Sequence, residues 1–212
     1  NPTVLSGEIQ MDFDNTNKAY HLVVFNDNPV VSSTLDGVIV TGGYADVYSA
    51  TFPHNTYGAG IYSYNSIATI RNCIITDNHA EDHGGGMYCQ NSPMTIENTE
   101  ISNNSADIDP SGFRRGGGIY FQSCDYVTLE GLTVSENTAH TGAGIFFNGS
   151  SPVIIDRSIF SGNTFISGGG GIYSNSSTTF ITNSLFSGNH SDYHASHGGA
   201  IMLKPGSTSE MT

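Results

Sequence analysis

Gly116-Gly117-Gly118-Ile119-Tyr120 decides the fold, because near-copies of it return all along the chain. Gly58-Ala59-Gly60-Ile61-Tyr62, Gly84-Gly85-Gly86-Met87-Tyr88, Gly142-Ala143-Gly144-Ile145-Phe146, Gly169-Gly170-Gly171-Ile172-Tyr173 and Gly198-Gly199-Ala200-Ile201-Met202 share its pattern. An Asn follows each of the first five copies, at 78, 104, 137, 163 and 189, in steps of 26 residues and once of 33. Self-similarity at this period marks stacked supersecondary units.

Counting back from each Asn exposes the rule between the landmarks. Three residues before it stand Val40 (with Gly43 in the Asn place), Ile75, Ile101, Val134, Phe160 and Phe186. Eight before it stand Leu35, Ile70, Ile96, Leu129, Ile155 and Ile181, and polar residues such as Thr76, Ser102 and Ser135 alternate with them. Apolar and polar residues alternating over short segments, punctuated by Gly and Asn, read as strands, and no helical period of useful length exists. Parallel stacking of like coils puts each residue on its own copy, which an antiparallel sandwich would not. The expected fold is all-β: a right-handed parallel β-helix of about six to seven coils, three short strands in each, with coils about 4.8 Å apart. The apolar set fills the bore, and the Asn carboxamides form a ladder that can donate to one neighbour and accept from the other. Residues 1–34 read as an irregular first coil or N-terminal cap, and 35–212 as the repeats. The chain opens in Asn1-Pro2 and stops soon after Pro205, as an excised piece of something longer would.

These residues carry a family resemblance. Gly198-Gly199-Ala200-Ile201, with Phe160-Ser161-Gly162-Asn163 and Phe186-Ser187-Gly188-Asn189, resemble the paired G-G-A-I and F-x-x-N repeats of the polymorphic outer membrane protein family. More broadly, residues 35 to 203 are similar to right-handed β-helix repeat proteins of bacterial cell surfaces. The resemblance implies the fold, and a secreted or cell-surface location; β-helices host adhesins, passenger domains, lyases and hydrolases alike.

Composition narrows the partners. Six Lys and Arg against 19 Asp and Glu give a net charge of −13, which argues against a nucleic-acid backbone or an anionic membrane. Cations, glycans or another protein fit better. No apolar run reaches the length of a membrane-spanning helix. Cys73, Cys89 and Cys124 form no Cys-x-x-Cys pair and are expected as buried thiols.

Chemistry concentrates in the loops between each Asn and the next Gly run. They hold His54, His79, His83, His140, His190, His194 and His197, together with Arg114 and Arg115. Glu81, Asp82, Asp107 and Asp109 are the candidate metal ligands, with Ca²⁺ the cation that carboxylates and carbonyls suit; a solvated polar rim is the other reading. Beside the loops, Tyr62, Tyr88, Tyr120, Phe146 and Tyr173 form an outward column, either a self-stacked ladder or a platform for a glycan. The positions after it, Tyr64, Gln90, Gln122, Asn148 and Asn175, put no carboxylate, Lys or Arg on that face. A lyase or hydrolase would therefore have to work from the loops, with His83 as base and Arg114 or Arg115 as charge partner. The preferred expectation is a non-catalytic module for adhesion, display or assembly, whose partner is an extracellular glycan or protein. Unpaired strand edges at the ends invite self-association or further repeats. A second outward row, Ile39, Ile74, Ile159 and Leu185, is apolar and calls for a covering segment or partner.

Overall fold

A computed structural model describes residues 2–7, 19–46, 55–107, 114–191 and 198–212. Its strands wind into three seven-stranded sheets and one of five strands, all paired in parallel. The first sheet stacks Thr3–Ser6, Val38–Thr41, Ile74–Thr76, Glu100–Ser102, Thr133–Ser135, Ile159–Ser161 and Leu185–Ser187. The second stacks Val23–Asn26, Ile61–Tyr64, Met87–Gln90, Ile119–Gln122, Ile145–Asn148, Ile172–Asn175 and Ile201–Leu203. The third runs from Ser33–Asp36 through Ala68–Arg71, Met94–Glu97, Val127–Glu130, Val153–Asp156 and Thr178–Thr182 to Thr208–Met211. Successive strands of the chain thus visit the sheets in turn and return one level on, which is a parallel β-helix.

Register follows the sequence rule. Val40, Ile75, Ile101, Val134, Phe160 and Phe186 pair in one line, and Leu35, Ile70, Ile96, Leu129, Ile155 and Ile181 in another. With Ile61, Met87, Ile119, Ile145 and Ile172 they close the bore, nearly all of it sealed from water. Each such side chain contributes about 1.5–3 kcal/mol of burial, and only because the coils above and below cover it.

The corners explain the recurrent Asn and Gly. Asn72, Asn98, Gly131, Arg157 and Asn183 occupy equivalent corners in the left-handed region, as do Asp77, Asn103, Glu136, Gly162 and Gly188. That conformation penalises most side chains but suits Gly, Asn and Asp. In the Gly run the constraint is proximity: a Cβ on Gly118 would lie 2.5 Å from the Gly144 carbonyl oxygen and 3.2 Å from the Asn137 carboxamide. The two landmarks are therefore one device, the glycine making room for the asparagine.

That asparagine ladder is continuous. Asn78 Nδ2 donates to Asn104 Oδ1 at 3.0 Å, Asn104 to Asn137 at 3.1 Å, Asn137 to Asn163 at 3.0 Å and Asn163 to Asn189 at 2.8 Å. Each Oδ1 also accepts the backbone N–H of the preceding Asn, and each Nδ2 reaches a strand carbonyl, as Asn137 does to Ile101 at 2.9 Å. A second ladder links backbone N–H groups to Ser66, Ser92, Cys124, Ser150 and Ser177. Cys124 stands in a serine place, and Cys73 likewise follows the pattern of Thr99, each thiol donating to a carbonyl two residues back. All three cysteines are free and buried.

One feature adds to the sequence reading. Five coils have a short fourth strand after the Asn place, which Gly43 fills in the first of them: Tyr44–Ala45, His79–Ala80, Ser105–Ala106, Thr138–Thr141 and Thr164–Gly168 make the five-stranded sheet. Its signal was the small inward Ala45, Ala80, Ala106 and Ala139, all fully buried. Within residues 1–34, Val23–Asn26 pairs with Ile61–Tyr64. The outward apolar row is interrupted by Glu100 and Thr133, and Ile159 and Leu185 at its far end are 42% and 55% exposed.

Candidate functional site

Five strands of the second sheet bring the outward aromatics into one column. Ring centroids are 5.7 Å apart from Tyr62 to Tyr88, 5.4 Å from Tyr88 to Tyr120, 5.2 Å from Tyr120 to Phe146 and 4.6 Å from Phe146 to Tyr173, all stacked. Tyr62, Tyr88, Tyr120 and Phe146 are 7%, 3%, 1% and 3% exposed, so most of the column is a second small core. Ring faces spent on neighbours are not free for a sugar. The hydroxyls are engaged too: Tyr88 donates to Gln90 Oε1 and Tyr120 to Gln122 Oε1, while Asn148 Nδ2 donates to Tyr120. Burial pushes the Tyr62 hydroxyl up to about 12, and Tyr88 further.

What covers the column is the residue just before each Gly run. Tyr57, His83, Arg115 and Thr141 bridge one to the next in parallel, and Thr141 pairs with Gly168. Each large member lies over the aromatic one level on: Tyr57 is 4.9 Å from Tyr88, His83 is 4.8 Å from Tyr120, and the Arg115 guanidinium is 5.2 Å from the Phe146 centroid. Sequence reasoning missed this row as a unit, although its fixed place before the glycines was a sufficient signal.

His83 is therefore held as a ring in a stack, 5.3 Å from Tyr57 on one side and against Tyr120 on the other. Its Nδ1 is shut off from solvent and makes no hydrogen bond of ordinary geometry. Burial, reinforced by the nearby Arg115 charge, lowers its pKa to about 4. A neutral imidazole at pH 7 has the protonation of a base, but this one faces neighbouring rings.

The expected cation corner contains a cation from the chain itself. Arg114 donates through Nη2 to Glu81 Oε1 at 2.8 Å and through Nε to the Glu81 carbonyl at 2.6 Å. Asp107 lies 3.6 Å and Asp82 3.9 Å from the same guanidinium. Among the described residues no three His, Cys, Asp or Glu side chains are grouped to hold a metal ion. Asp109 lies outside the described residues, as do His54, His194 and His197.

The polar row beside the aromatics corrects one expectation. Ser174 pairs with Leu203 and the Lys204 N–H donates to the Ser174 carbonyl, so Lys204 continues the line Tyr64, Gln90, Gln122, Asn148, Asn175. The face does carry a lysine, at its last level.

Stacked parallel coils, an asparagine ladder and aromatic columns define a parallel β-helix repeat protein. The profile of the right-handed beta helix region matches residues 13–186 and again 117–212, and the chain belongs to that family. No curated protein and no solved structure matches it significantly. Among the described residues no helix is long and apolar enough to cross a membrane.

Proposed function

We propose that this chain is a non-catalytic β-helix module of a secreted or cell-surface protein, serving adhesion, display or assembly with a glycan or protein partner. The observation that carries this reading is the packing of His83. Its ring is fixed between Tyr57 and Tyr120; of its two expected charge partners, Arg114 is clasped by Glu81 with Asp82 and Asp107 close by, and Arg115 lies over the Phe146 ring. A base and a charge partner committed to such contacts serve architecture. The likeness to polymorphic outer membrane protein repeats supports a bacterial surface, and the −13 net charge supports a partner other than a polyanion.

The test is turnover. The chain is incubated with neutral and acidic polysaccharides while reducing ends and unsaturated uronate absorbance are followed, and the immobilised chain is assayed for retention of glycans or cells. Retention without product is expected. Product formation that His83→Phe abolishes would overturn the reading and establish a lyase or hydrolase.

A further inference from the structure

The two ends of the stack carry matching chemistry in the same order. In the first sheet, Val4, Leu5 and Ser6 open three register lines that Leu185, Phe186 and Ser187 close. In the second, Val23, Val24 and Phe25 open the lines that end in Ile201, Met202 and Leu203. In the third, Leu35 opens the inward line that Met211 closes. Apolar residues therefore stand at both ends of the inward lines, and a serine at both ends of the line from Ser6 to Ser187.

Neither end is closed. Thr3–Ser6, Val23–Asn26 and Ser33–Asp36 are the outermost strands of the three sheets at one end, and Leu185–Ser187, Ile201–Leu203 and Thr208–Met211 at the other. Among the described residues no further strand pairs with them. The bore, sealed within the stack, is only partly covered here: Leu5, Phe25 and Leu35 at one end, and Phe186 and Ile201 at the other, are partly buried. Val24 and Met211 are 53% and 56% exposed. Outermost strands with open backbone groups and apolar side chains are templates for another strand.

The charges at the two ends also fit. Lys204 ends the polar line that Asn26 opens, and it has no carboxylate partner among the described residues. Asp27, next to Asn26, is exposed and accepts from the Asn65 amide on its inner side. With the last coil of one copy set on the first coil of another, Lys204 lies on Asn26 and beside Asp27. Glu210 ends the line that Thr34 opens, so no acidic side chain faces it directly, and Asp36 is held by Arg71.

We propose that the chain binds a second copy of itself head to tail, its last strand in each of the three sheets pairing with the first strand of the next copy, and Lys204 meeting Asp27 across the junction. Such an interface is heterologous and does not close on itself, so copies add in a line. The inference rests on the assembly role proposed above and names its partner.

The test is sedimentation of the full chain from micromolar to millimolar concentration at moderate salt, where the −13 charge on each copy is screened, with small-angle X-ray scattering beside it. Concentration-dependent association is expected, each added copy lengthening the particle by about 34 Å, seven levels of about 4.8 Å each, at constant cross-section. Amide exchange in Val23–Asn26 and Ile201–Leu203 should slow as copies join. Lys204→Glu and Asp27→Lys should each weaken association about three- to tenfold, and the double variant should recover it, because the pair is restored in reverse. A monomer at every concentration would overturn the proposal, as would a growing cross-section, which marks side-by-side packing. So would association that neither single variant weakens or that the double variant does not recover. Turnover of a polysaccharide would sink the non-catalytic reading and leave the stack standing, so the two failures are distinguishable.

Discussion

Asn137 shows how much one side chain holds here. Its Oδ1 accepts from both the backbone and side-chain nitrogens of Asn104, at 3.0 Å and 3.1 Å, and its Nδ2 serves Ile101 and Asn163. The residue is fully buried, so Asn137→Ala strands two donors and a carbonyl where water cannot replace the lost partner. The expected loss is about 2–4 kcal/mol in a denaturant titration, and a change within error would mean the ladder is ornamental. Cys124 makes the complementary point: a thiol can take the serine's place because the contact needs only one weak acceptor and one weak donor. Burial pushes its pKa up to about 12, which leaves it a poor nucleophile.

At the scale of the element, the strands were legible because inward residues recur at fixed distances from each Asn, and only stacked parallel copies keep that spacing. The aromatic column was legible for the same reason, but its exposure was not. Alternation says that Tyr88 points away from the bore; it does not say that Tyr57 and His83, from the adjoining turns, close over it. The loop carboxylates were legible as a cluster, whereas the occupant of their midst depended on where Arg114 turned, and spacing carries no such information. His83 gives the prediction at this scale. Its folded pKa is lowered to about 4 from 6.5, so its stabilising contribution is whole above pH 6.5 and is lost as pH falls toward 4, where the unfolded chain binds a proton that the folded one refuses. His83→Phe keeps the stack and removes the proton. Between pH 7 and 4.5 the native chain should lose about 1–3 kcal/mol more than this variant, by melting at both pH values. Parallel losses would show that the ring is not held neutral.

Across the whole molecule, each coil is covered only by its neighbours, so protection should grade from the ends inward. Amide hydrogen exchange should be slowest in Met87–Gln90, Ile119–Gln122 and Ile145–Asn148, and fastest in Thr3–Ser6 and Thr208–Met211. Uniform protection would mean that the prism opens as a single unit. The graded cover over the aromatic column is a property of the same scale: it turns a repetitive wall into one with a distinct end, which no single repeat contains.

The asparagine ladder also has a direction. From Asn78 to Asn163 the donor sits on the earlier coil and the acceptor on the later one, without reversal. A ribosome delivers the coils in that same order. Each finished turn therefore waits with an open amide that only the next turn to emerge can satisfy, and the growing end of the nascent chain serves as the template for its own continuation.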